Sequence, residues 1–134
     1  MNYLHTMIRV GDLEGALAFF ALLGLSEIRR MENEKGRFTL VYLAAPDDVA
    51  RAKEADAPMI ELTYNWDQAK PYDLGTGFGH LAIGVPDVYK LCEDVTKAGG
   101  KVTRPAGPVK FGTTVIAFVE DPDGYKIELI QRKG

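Results

Sequence analysis

Apolar and polar positions follow one order along the chain, and then follow it again. Residues 3–10, Tyr-Leu-His-Thr-Met-Ile-Arg-Val, are β-branched and aromatic and predict a strand. Gly11-Asp12 breaks the run, Asp12 is placed to cap a helix, and Leu13, Ala16, Leu17 and Phe20 recur at helical spacing up to a stop at Gly24. Strands are predicted near 25–30 and 37–44, flanking a turn at Asn33-Glu34-Lys35-Gly36. The polar, Ala-rich segment 46–58 is bracketed by Pro46 and Pro58 and predicts a loop that has room for a helical turn. A strand over 59–66 and a Gly- and Pro-containing connection to Gly79 complete the first half.

The second half restarts with a strand at 80–85. Pro86-Asp87 opens a helix with Val88, Leu91, Cys92 and Val95 on one face, and Gly99-Gly100 closes it. A short strand over 101–103, a Pro/Gly loop over 104–112 and a strand over 113–120 follow. The turn Asp121-Pro122-Asp123-Gly124 and a last strand over 125–131 end the pattern. Each half therefore reads βαβββ, giving an α+β chain.

The repeat carries chemistry in register. His5 precedes Val10, Asp12 and Leu13 as His80 precedes Val85, Asp87 and Val88. Ile60-Glu61-Leu62 matches Ile127-Glu128-Leu129. From histidine to glutamate is 56 positions in the first half and 48 in the second, and the 46–58 insertion absorbs the difference. Two histidines and two glutamates at equivalent positions form a nitrogen/oxygen set suited to a divalent first-row metal in an open octahedral site. These are the only two histidines in 134 residues, so no other imidazole can replace either.

Composition narrows the alternatives. Hydrophobic residues at 46% and charged residues at 26% fit a soluble globular domain of this length. A net charge of -3 argues against a dedicated nucleic-acid binder. The single cysteine excludes an intrachain disulfide and a multi-cysteine zinc site, and its helical neighbours suggest packing rather than reactivity. No apolar run approaches a membrane span, and the first residues do not read as a signal peptide, so a cytoplasmic protein is expected.

Leu4-His5-Thr6-Met7-Ile8-Arg9-Val10-Gly11-Asp12-Leu13, Ile60-Glu61-Leu62-Thr63-Tyr64-Asn65-Trp66, Gly79-His80-Leu81-Ala82-Ile83 and Val119 to Leu129 together resemble glyoxalase I of the vicinal oxygen chelate superfamily. The resemblance implies one internally duplicated domain over 1–134, with modules of about 1–66 and 79–134 forming a curved mixed sheet. It also implies a homodimer with shared sites, His5 and Glu61 coming from one chain and His80 and Glu128 from its partner as metal ligands. The implied reaction isomerises the hemithioacetal of methylglyoxal and glutathione to S-lactoylglutathione. Glu128 is the implied base, with Glu61 as its pseudo-symmetric alternative.

Strand parity adds to this. Side chains two apart share a face, so Arg9 follows His5 and Met7, and Asn65 follows Glu61 and Thr63. Arginine suits a carboxylate and asparagine a peptide-like group, and glutathione has both. In the family the matching positions contact glutathione. The loop over 104–112 fits a mobile flap with a cation for a second carboxylate, Lys110 first and Arg104 second. Phe111 departs from the glycine that close relatives often carry. Zinc, nickel and cobalt all fit the ligand set; in the family compact chains tend to use nickel or cobalt, so the resemblance, with the compact stretch from Trp66 to His80, implies one of those two. Rival readings are another enzyme of the superfamily, such as a CoA-thioester epimerase, and a non-catalytic small-molecule-binding member.

Overall fold

The computed structural model describes residues 1–133. The chain divides into two compact units, Met1–Tyr72 and Asp73–Gly134. The first holds strands β1 (His5–Arg9), β2 (Ser26–Asn33), β3 (Phe38–Ala44) and β4 (Met59–Asn65), with helices α1 (Leu13–Leu22) and α2 (Val49–Ala55). The second holds β5 (Leu81–Val85), helix α3 (Val88–Lys97), β6 (Lys101–Pro108), β7 (Val115–Glu120) and β8 (Lys126–Gln131). The strands form two four-stranded mixed sheets, ordered β1-β4-β3-β2 and β5-β8-β7-β6. In each, the first strand lies parallel to the last and the other pairings are antiparallel. The two βαβββ modules expected from the sequence are thus the two sheets.

The repeat extends to the helix ends. The Asp12 carboxylate accepts from Gly15 N at 3.2 Å, and Asp87 accepts from Lys90 N at 3.0 Å. Each satisfies an amide that the first helical turn leaves without a partner. At the other ends Gly24 and Gly99 take φ of 91° and 84°, a left-handed turn that disfavours any residue with a Cβ. The amides after them return to the helix, Leu25 N to Phe20 O at 2.9 Å and Gly100 N to Val95 O at 2.9 Å.

Alternation along the strands separates two faces. Ile8, Val10, Val41, Leu43 and Leu62 in the first unit are almost wholly buried, as are Val85, Val119, Ile127 and Leu129 in the second. Phe20 of α1 and Val88 and Val95 of α3 are fully buried too. Full burial of a side chain of this size contributes about 1.5–3 kcal/mol, so these positions dominate each unit's stability. The opposite face of each sheet carries the polar residues in register.

Two segments differ from the sequence reading. The insertion over 46–58 is more ordered than a loop. It holds a 3-10 turn at Pro46–Asp48 and then α2, whose Ala52 is buried beside Ala44 and Met59. The run Val-Ala-Arg-Ala-Lys-Glu-Ala is rich in strong helix formers, and its small residues permit close approach. Likewise β6 runs to Pro108 instead of stopping at 103, with register shifts around Arg104. Bulges carry the strand through Pro105 and Gly107, residues that usually end one.

Candidate functional site

Each sheet assembles the same small cluster on its polar face. In the first, β1 and β4 lie side by side, so the histidine that starts one strand reaches the glutamate in the middle of the other. His5 Nε2 stands 3.1 Å from Glu61 Oε1. In the second sheet His80 Nε2 stands 3.1 Å from Glu128 Oε1. The neighbouring antiparallel strand adds an aromatic ring directly opposite each glutamate, Tyr42 to Glu61 and Phe118 to Glu128. Each ring meets its histidine edge-on, with centroids 5.7 Å apart for His5–Tyr42 and 5.2 Å for His80–Phe118. The rings were not singled out in the sequence. The signal for them was the same repeat, because Tyr42 and Phe118 occupy equivalent positions.

The two clusters are alike in shape and unlike in polarity. Thr63 Oγ1 donates to Glu61 Oε2 at 3.2 Å, and Tyr42 stands directly across from Glu61 on β3. Glu61 and Thr63 are both buried. Burial pushes the Tyr42 hydroxyl above its ordinary value, the neighbouring Glu61 carboxylate pushes it further, and Arg29 opposes the rise. In the second sheet the equivalent positions are Phe118 and Ile130, which have no side-chain donor. The Glu128 side chain is 18% exposed against 11% for Glu61. The chain therefore brings together two His–Glu pairs, one in each unit. Among the described residues no group of three or more His, Cys, Asp or Glu side chains is arranged to hold a metal ion.

A family profile described as the glyoxalase/bleomycin resistance protein/dioxygenase superfamily matches residues 2–129. The chain belongs to this superfamily. Among its relatives, the lactoylglutathione lyase of Neisseria meningitidis serogroup A is 53% identical over 134 residues, covering 99% of this chain and 92% of that one. The lactoylglutathione lyase of Haemophilus influenzae is also 53% identical, covering 99% and 94%. Glyoxalase I from Zea mays superposes with a TM-score of 0.88 at 44% identity, over 98% of this chain. The superposed chain accounts for 45% of the maize chain, so it spans less than half of that protein. Glyoxalase I of Leishmania major, described as trypanothione-dependent, gives a TM-score of 0.79 at 36% identity, over 98% of this chain and 86% of that one.

The outlying residues are placed as follows in this superfamily member. Arg9 is exposed at the end of β1, in register with Thr63. Asn65 ends β4 and accepts from the Tyr72 hydroxyl at 3.1 Å through its side-chain oxygen. Lys110 is exposed after β6, its Nζ 5.1 Å from the centroid of the Phe111 ring. Phe111 is 96% exposed and takes φ of 66°, a backbone setting that glycine occupies without strain. Arg104 is committed within its own chain. Its guanidinium donates to the carbonyls of Pro105, Gly107, Pro108 and Ile116 at 2.9–3.0 Å, clamping the irregular part of β6 to β7. Those bonds occupy the fork that a substrate carboxylate would need. Cys92 is half-buried and burial raises its thiol pKa, which fits packing rather than reactivity. No helix among the described residues is long and apolar enough to cross a membrane.

Proposed function

We propose that this chain is a lactoylglutathione lyase that isomerises the hemithioacetal of methylglyoxal and glutathione to S-lactoylglutathione, and so removes methylglyoxal. The observation that carries the reading is the duplicated His–Glu pair, 3.1 Å apart in each half. Its setting is a chain 53% identical to lactoylglutathione lyases over almost its whole length.

The donor set fits a divalent metal. Adjacent donors on one octahedral ion with bonds of about 2.1 Å stand about 3 Å apart, which the separation within each pair matches. His5, Glu61, His80 and Glu128 would hold the ion, each chain giving one pair to each of two sites in a homodimer. When bound, the metal acts as a Lewis acid for the oxygen charge that develops next to the migrating proton.

The chain's own residues do the rest. The substrate carries a carbonyl beside the carbon that bears hydroxyl and sulfur. Glu128 takes the proton from that carbon, leaving an enediolate, and returns it to the neighbouring carbon, while the hydroxyl proton passes to the oxygen that was the carbonyl. The carbon attached to sulfur becomes the thioester carbonyl and the other becomes a secondary alcohol. Phe118 lies against the His80 edge and opposite Glu128, giving the base an apolar flank. Arg9 and Asn65, further out on the same face as His5 and Glu61, suit a carboxylate and an amide of glutathione. Lys110 suits the second carboxylate, whereas Arg104 is held by carbonyls. By the tendency of compact members of the family, nickel or cobalt is the proposed metal over zinc, and the cytoplasm is the proposed location. The Leishmania relative makes the thiol a variable worth testing.

The test is direct. Purified protein is stripped with EDTA, reconstituted with nickel, cobalt or zinc, and mixed with methylglyoxal and glutathione while thioester absorbance is followed. Metal-dependent thioester formation is expected, with nickel or cobalt giving the faster rate. No thioester with any of the three metals would overturn the reading.

A further inference from the structure

The internal repeat offers a control that few sites have, because each cluster is a template for the other. Both glutamates have the same histidine neighbour at 3.1 Å and the same cross-strand ring. They differ in what else holds them. Glu61 Oε1 faces His5 while Oε2 accepts from Thr63 at 3.2 Å, and the ring directly across from Glu61, Tyr42, carries a hydroxyl. Glu128 has Phe118 and Ile130 at those two positions. Among the described residues, its one polar side-chain contact is His80.

We propose that Tyr42 and Thr63 are positioning residues that tether Glu61, and that this tether is what assigns proton transfer to Glu128. The proposal rests on the lactoylglutathione lyase reading above and deepens it. A carboxylate that shuttles a proton must swing between two carbons, and one gripped at both oxygens cannot do so without breaking charge-assisted hydrogen bonds. Without the tether the two glutamates would be near-equivalent candidates, as the repeat alone leaves them.

The insertion found only in the first half supports the same device. Tyr42 packs against the cluster of Ala44, Ala52 and Met59, to which α2 contributes Ala52 and Val49. The Arg29 guanidinium lies 4.4 Å from the Tyr42 ring centroid, and Asp56, which follows α2, holds that guanidinium at 2.7 Å. Residues of the 46–58 segment therefore brace the ring that stands across from Glu61. The second half has no such segment and its ring has no hydroxyl.

The experiment compares the wild type, Tyr42→Phe/Thr63→Val and the mirror variant Phe118→Tyr/Ile130→Thr. The first two are also made with Glu128→Gln. Phenylalanine and valine keep the shapes of the residues they replace, and thermal melts confirm folding. Two quantities are read: Ni²⁺ affinity in competition with a chromophoric chelator, and kcat and KM with methylglyoxal plus glutathione. Loss of the tether is expected to weaken Ni²⁺ binding about 10-fold or more. It should also raise the residual turnover of Glu128→Gln about tenfold, the size of one charge-assisted hydrogen bond, because Glu61 is released to act as base. The mirror variant should lower kcat with KM and Ni²⁺ affinity maintained. Unchanged Ni²⁺ affinity, or weaker affinity with no gain in the Glu128→Gln background, overturns the tether while leaving the isomerase reading intact. A wild-type protein that binds metal but forms no thioester with nickel, cobalt or zinc overturns the isomerase reading instead.

Discussion

Replacing Asp121 with asparagine should stabilise the protein, and only above a definite pH. Asp121 opens the turn before β8 and is 5% exposed. Its Oδ1 accepts from Asp123 N at 3.0 Å and Tyr125 N at 2.8 Å, while Oδ2 is buried without a hydrogen-bond partner. Burial, with a smaller push from the Asp123 charge, raises the carboxyl pKa from 3.8 to about 6. The folded state therefore keeps its proton at pH values where the unfolded chain has lost it. The stability this gives is fully present below about pH 3.8 and is lost as pH rises through about 6. Roughly 2 pKa units at 1.36 kcal/mol each give a ceiling of about 3 kcal/mol. Asparagine keeps the Oδ1 acceptor, places an N–H donor where the orphaned oxygen stood, and removes the opposition to Asp123. Urea unfolding of both proteins at pH 4 and pH 7.5 isolates the Asp121 carboxyl and its coupling to Asp123, because titrating groups that do not face Asp121 cancel in the difference. The two should match within about 0.6 kcal/mol at pH 4 and diverge by up to about 3 kcal/mol, in favour of Asp121→Asn, at pH 7.5. A variant less stable than wild type at pH 7.5, or a difference that does not change with pH, would refute the argument.

The amount of this molecule that its sequence discloses follows from where the periodicity is strong. The βαβββ repeat was legible because Asp12 and Asp87, Gly24 and Gly99, and the two Ile-Glu-Leu strands impose the same local physics twice. The histidine–glutamate pairing followed from that repeat, since parallel first and last strands bring the matching residues together. What escaped was the work of side chains whose partners lie far along the chain. Nothing near Arg104 announces that four carbonyls, one of them from Ile116, will consume its guanidinium. For that reason it read as a spare cation in a flap. The insertion read as a loop because Pro46 and Pro58 dominate its edges, whereas its helix depends on burying Ala52 beside Ala44 and Met59. Parity already put Thr63 on the Glu61 face, whereas Tyr42 is an ordinary strand residue until the register sets it across from Glu61.

Three further outcomes bear on the site. Glu128→Gln should fold and retain metal but lose most isomerase activity, about 100-fold or more for a general base, and near wild-type turnover in the metal-loaded variant would count against the assignment. Arg9→Ala should raise KM for the glutathione adduct with metal content unchanged, read by steady-state kinetics beside metal analysis; loss of metal would place Arg9 in the ligand shell's support instead. Arg104 separates a structural cation from a binding one. Its guanidinium serves four acceptors at 2.9–3.0 Å, a fan of bonds that a planar fork can make and a single ammonium cannot. Both Arg104→Lys and Arg104→Ala should therefore lower unfolding free energy, by about 1–3 kcal/mol for the carbonyls left wanting. Both should also raise amide exchange across 104–109 and leave KM within about twofold, a change of less than 0.5 kcal/mol in binding. A lysine variant with wild-type stability and a tenfold higher KM would mean that the fork serves the substrate and that its carbonyl bonds are incidental.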